Sequence, residues 1–139
     1  MGFEVFVQCF EREQLSGAPV SAVRGAFTHV LDTSSDAEWK IRYDDTNWCN
    51  IYVHRHDDRP ELVHSITVDR PCADVRLWDS LHQLLQLGNW VLYFPAEKPP
   101  LVMANESTVL HLPKSMQEAL GPVKVVNSGD DIIQIIRGS

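Results

Sequence analysis

The residues of this chain that can do chemistry are its histidines, cysteines and paired aspartates, and their spacing limits what that chemistry can be. His54-x-His56 is the tightest histidine pair. Alternate residues of a strand share a face, so both imidazoles would point the same way and can fill two positions around a divalent metal. A third ligand would have to come from Asp57, Asp58 or His64. Spacing alone fixes only two donors, and two solvated histidines beside a turn give the same pattern, so no metal ligand is assigned. The pairs Asp44-Asp45, Asp57-Asp58 and Asp130-Asp131 invite a reading as acid–base carboxylates. Each falls at a predicted turn or helix start, where aspartate is favoured because its side chain bonds nearby backbone N–H groups.

Cys9, Cys49 and Cys72 lie far apart, with no C-x-x-C pair. The spacing suits neither a zinc ribbon nor a disulfide framework, and the odd count fits reduced thiols in a cytoplasmic protein. Cys9 and Cys49 fall on the inward faces of predicted strands, where free cysteine behaves as a small inert hydrophobe. Cys72 precedes a predicted helix whose N-terminus would lower its pKa, but no base stands beside it in the sequence. There is no G-x-S-x-G, P-loop or G-x-G-x-x-G. These residues therefore predict no catalytic set and no cofactor, and a binding protein rather than an enzyme.

The elements that would position these groups are organised around residues 71–95, RPCADVRLWDSLHQLLQLGNWVLYFP counted from Arg70. Leu77, Trp78, Leu81, Leu84 and Leu85 recur at helical spacing, with Asp74 as N-cap and Gly88 where a left-handed residue would end the helix. Trp90-Val91-Leu92-Tyr93-Phe94 then reads as a strand covered on both faces. Upstream, FEVFVQCF (3–10), EWKIRY (38–43), CNIYVHRH (49–56) and ELVHSITVDR (61–70) alternate as strands, joined by short polar turns that favour an antiparallel meander. In the last of these, Leu62, Ile66 and Val68 define the inner face, which places His64 among them. Val20, Val23 and Phe27 form a short helical stripe despite Gly25, followed by a polar loop over 32–36.

Beyond the proline-rich turn at 95–100, Leu101–Met103 reads as a short strand and Asn105 as the N-cap of a brief helix through Leu112. Pro113 opens another helix with Met116, Ala119 and Leu120 inward, and Val123–Val126 is a strand. Ser128-x-x-Asp131 caps a last helix with Ile132, Ile133, Ile135 and Ile136 on its buried side. The pattern predicts one α+β domain over 1–139, a mainly antiparallel sheet with helices packed on one face in the order β-α-β-β-β-α-β, followed by short strands and helices.

Net charge is 12 − 19 = −7 over 139 residues, with no block of like charge. A nucleic-acid binder needs a basic footprint, so nucleic acid is not expected, whereas a basic protein partner is. The opening residues lack a basic n-region and an apolar h-region, and no apolar run approaches a membrane span, so neither a secretory leader nor a membrane partner is expected. If helices cover one side of the sheet, the other presents Phe6, Gln8, Lys40, Arg42, Tyr52, His54, Ser65 and Thr67, extended by Trp48 at a strand start. Mixed aromatic, basic and hydroxyl groups suit a protein interface. Single-strand RNA platforms also use aromatic sheet faces, but the negative charge and the lack of an aromatic-glycine strand argue against one.

The expected function is thus stoichiometric binding of a protein partner, with toxin neutralisation by a bacterial immunity-type protein as its most concrete form. Phe6, Lys40, Arg42, Trp48, Tyr52 and His54 form the expected contact face. The alternative from a different class is a small enzyme or ligand-binding domain whose site lies between the central helix, strand 90–94 and segment 95–105. A monomer or a homodimer paired through sheet edges or faces is compatible with either.

Overall fold

Alternation in the four long apolar strands produces one sheet, and the leucine stripe produces the helix that covers it. The computed structural model describes residues 3–27 and 30–138. Strand β1 (Glu4–Glu11) turns tightly into β2 (Gln14–Leu15), and β3 (Ala18–Pro19) leads into helix α1 (Val20–Gly25). Strands β4 (Leu31–Ser34), β5 (Glu38–Arg42), β6 (Trp48–Arg55) and β7 (Leu62–Asp69) follow. Helix α2 (Val75–Leu85) and β8 (Trp90–Tyr93) make the central unit. Strand β9 (Leu101–Met103), a 3-10 helix (Glu106–His111), α3 (Lys114–Ala119), β10 (Val123–Val125) and α4 (Gly129–Arg137) complete the chain.

Among the described residues the sheet has ten strands, with the path β10-β9-β8-β1-β7-β6-β5-β4; β2 pairs with β1, and β3 pairs with β7. Every pair is antiparallel except β9 and β10, whose parallel register is supplied by the crossover through the 3-10 helix and α3. This is the α+β arrangement that the alternating strands and single amphipathic helix predict. The polar stretch 32–36, expected as a loop, contributes β4 at the sheet edge, where a polar strand can pair on one side and face water on the other.

The main core lies between one face of the sheet and α1, α2 and α4. Val5 and Val7, Trp39 and Ile41, Ile51 and Val53, and Ile66 and Val68 meet Leu77, Trp78, Leu81, Leu84, Leu85 and Ile132 there. Fully burying a leucine-sized side chain is worth about 1.5–3 kcal/mol, so the five buried residues of α2 anchor this layer. Asp74 caps α2 by accepting from the Arg76 N–H at 2.9 Å. The helix ends without a left-handed residue: the Gln86 and Leu87 N–H groups bond back to Gln83 and Leu84, and no described glycine, Gly88 included, has a positive φ. Gly129 lies where α4 crosses α2; a Cβ there would run into the Asp79 backbone nitrogen and the Trp78 carbonyl carbon. Ser128 caps α4, accepting from the Asp131 N–H at 3.2 Å, while the Asp131 carboxylate accepts from the Asn127 N–H at 2.9 Å.

A second, smaller core sits on the other face at one end. Phe10, Val91, Leu101, Met103 and Leu112 are buried there, with Val109, Met116 and Leu120 packed against them. The 3-10 helix and α3 thus cover the β1–β8–β9 end of that face, and the rest of it stays open.

Candidate functional site

The open area runs across β8, β1, β7, β6 and β5, and its side chains are placed by register. One row crosses the sheet as Tyr93, Phe6, Thr67, Tyr52 and Glu38. The next contains Gln8, Ser65 and His54, and the row on the other side contains Glu4, Asp69, Asn50 and Lys40. Trp48 pairs with Arg42 at the margin. All six residues expected on the contact face, Phe6, Lys40, Arg42, Trp48, Tyr52 and His54, therefore lie on one side of the sheet.

Their surroundings differ. Phe6 is half-buried and stacks on Tyr93 with ring centroids 5.4 Å apart, and the Tyr93 hydroxyl donates to Gln8 Oε1 at 2.9 Å. Trp48 and Tyr52 are the exposed aromatics, at 46% and 37%. The Lys40 ammonium stands 4.6 Å from the centre of the Trp48 ring, a cation–π contact that orients both. Arg42 is ion-paired with Asp45 and lies 3.8 Å from Asp32. Beside Lys40 and Asn50 a groove of about 330 Å³ is lined by Thr33, Ser34, Ser35 and Glu38, which extends the face with hydroxyl groups.

His64 is not on the inner face. Between the pairs His54–Ser65 and Arg55–Val63 the register shifts by a bulge in β7. The extra residue reverses the alternation, so Val63 enters the core and His64 joins the histidines of β6. Its ring is 5.0 Å from that of His56, edge to face, and 6.4 Å from that of His54. His56 Nε2 donates to the Ser16 carbonyl at 2.7 Å, and His64 Nδ1 is 2.6 Å from Ser65 Oγ. Burial, followed by the proximity of His56 and His54, holds the His64 pKa below its usual value. The three rings are neighbours, yet among the described residues no three His, Cys, Asp or Glu side chains converge as metal ligands.

Of the acidic pairs, Asp44 behaves as turn chemistry and Asp131 as a helix-start partner of backbone. Asp44 Oδ1 accepts from the Thr46 and Asn47 N–H groups at 2.9 and 2.8 Å, and bonds led by the Asn47 amide lower its pKa to about 2. The region proposed from sequence for a small-molecule site, between α2, β8 and segment 95–105, is occupied by Leu81, Leu84, Leu85, Trp90 and Leu92. A cleft of about 370 Å³ lies beyond it, lined by Lys98, Pro100, Pro122, Lys124, Gln134, Ile135 and Gly138.

Sequence reasoning missed Tyr93, because an all-apolar strand signals burial on both faces, whereas β8 leaves Tyr93 half-buried on the open side. The parity of Tyr93 relative to the buried Leu92 was the available signal. No helix of the described residues is long and apolar enough to cross a membrane. The chain matches no protein-family model, no curated protein and no solved structure.

Proposed function

We propose that this protein is an intracellular binding module that engages a protein partner stoichiometrically through the open face of its sheet. The observation that carries the reading is the exposure of Trp48 and Tyr52 on a face whose opposite side is a filled core. Aromatic side chains of this kind supply most of the energy of protein interfaces, and the surrounding polar rim excludes water. The partner is basic: net charge is −7, Arg42 is already paired with aspartates, Lys40 is committed to Trp48, and Glu4 and Glu38 are exposed on the same face. Toxin neutralisation of the immunity type is the concrete form of such a contact, in which an acidic protein masks a cationic surface.

The test is parallel affinity capture with the wild-type chain and with Trp48→Ala and Tyr52→Ala variants as bait. A partner retained at one-to-one stoichiometry by the wild type, released by salt and lost from both variants, supports the reading. Absence of any saturable partner, or equal retention by the variants, overturns it.

A further inference from the structure

At one end of the sheet, strand β10 keeps an unused backbone edge. Among the described residues β10 pairs only with β9, in parallel register from Val123 opposite Leu101 to Val125 opposite Met103. The Leu101 N–H donates to the Pro122 carbonyl at 3.0 Å, and the Val126 N–H donates to the Met103 carbonyl at 2.9 Å. Residues of a parallel strand alternate in the side toward which their backbone groups bond, so Pro122, Lys124 and Val126 face β9. Val123 and Val125 therefore turn their N–H and carbonyl groups away from the sheet. All three residues of β10 are exposed, the two valines at 40% and 45%.

The 370 Å³ cleft lies beside this strand, between the paired segments 98–100 and 122–124 and the last turn of α4. The first of its walls is locked by backbone. The Gly121 N–H donates to the Pro99 carbonyl at 2.7 Å, and a Cβ on Gly121 would lie 2.7 Å from the Lys98 carbonyl oxygen. Prolines at 99, 100 and 122 fix φ along the same wall. Lys98 and Lys124 line the cleft and no carboxylate does, in a chain with 19 acidic residues against 12 basic ones. Among the described residues neither lysine is ion-paired. The C-terminal end of α4 brings about half a negative charge to the opposite wall, which two full positive charges outweigh.

We propose that the β10 edge and this cleft take an extended acidic segment of a partner protein, which adds as a strand beside β10 and sets a carboxylate side chain in the cleft. Backbone bonds to Val123 and Val125 supply affinity whatever the sequence of the segment, and Lys98 and Lys124 select its acidic side chain. A second copy of this chain does not fit. Antiparallel pairing of two β10 strands through their outward groups puts Val123 opposite Val125 of the second copy and Lys124 opposite Lys124. Like charges directly opposite each other destabilise such a pair. A short strand with a central lysine thus resists pairing with itself, while the same lysine attracts a carboxylate. This edge is separate from the open face, so the proposal stands independently of what that face binds.

The test titrates the isotope-labelled full chain with a short peptide that alternates valine and glutamate, read by amide NMR. The expected result is a saturable shift of Val123, Val125 and the last turn of α4, with the two valine amides gaining protection from hydrogen exchange. A matching peptide with lysine in place of glutamate should not bind. The glutamate peptide methylated on its strand-pairing nitrogens should not bind either, because it has lost the donors that the edge accepts. Lys124→Glu should weaken binding about tenfold. Val125→Pro removes an outward donor and keeps the groups of Lys124 and Val126 that face β9, so it should lose the peptide while the rest of the amide spectrum is retained. Absence of saturable shifts, equal binding of the lysine or methylated peptide, or shifts confined to the open face overturns the proposal. So does concentration-dependent dimerisation of the free chain with the Val123 and Val125 amides protected.

Discussion

Arg12 and Glu13 occupy both central positions of the β1–β2 hairpin with φ values of 50° and 68°, a turn that ordinarily uses asparagine and glycine. The tip is held there by its backbone: the Arg12 N–H donates to His111 Nδ1 at 3.1 Å and the Glu13 N–H to the His111 carbonyl at 2.9 Å. Because the Arg12 contact is made by the main chain, Arg12→Gly removes the left-handed penalty without breaking it. Stability should rise by about 1 kcal/mol in urea denaturation, and a loss would show that the arginine side chain itself holds the turn. His64 carries a pH prediction. Its pKa is lowered in the folded state, so the unfolded chain takes up the proton first as pH falls. Stability is therefore full above about 6.5 and declines below it as pH approaches the lowered folded value. Replacing His64 with Gln should flatten that decline in unfolding curves recorded from pH 7.5 downward, and an unchanged slope would assign it to other groups.

At the scale of elements, the α2–α4 crossing is the contact with least freedom. Gly129→Ala places a methyl group against the backbone of α2, and backbone cannot rotate aside as a side chain can. Overpacking of this kind costs about 1–3 kcal/mol, which thermal unfolding would register as a lowered midpoint. Leu81→Ala, in the centre of the buried stripe, should cost about 2–5 kcal/mol by cavity formation. Trp48→Ala should cost far less than Leu81→Ala, since Trp48 is 46% exposed and loses mainly its contact with Lys40. The caps were legible as local chemistry: Asp74, Asn105 and Ser128 each accept the backbone bond that their position in the sequence implies. The bulge in β7 was not, because Val63, His64 and Ser65 alternate acceptably in either phase, and only pairing with β6 selects one.

For the whole molecule, the sheet separates two chemistries. The helix-covered side holds the filled core, and the open side holds the aromatic and charged face. Local patterning alone determined the α+β class, the strands that alternate, the leucine stripe that seals the core and the side on which Phe6, Lys40, Arg42, Trp48, Tyr52 and His54 fall. Each of those depends on neighbours one to four residues away, where period and capping act. Tertiary structure alone decided the strand order, the partial cover of the open face by residues 106–120, and the gathering of His54, His56 and His64. Those contacts join residues whose separation along the chain carries no local energetic signal, and they exist only once hydrogen-bonded register has brought distant strands side by side.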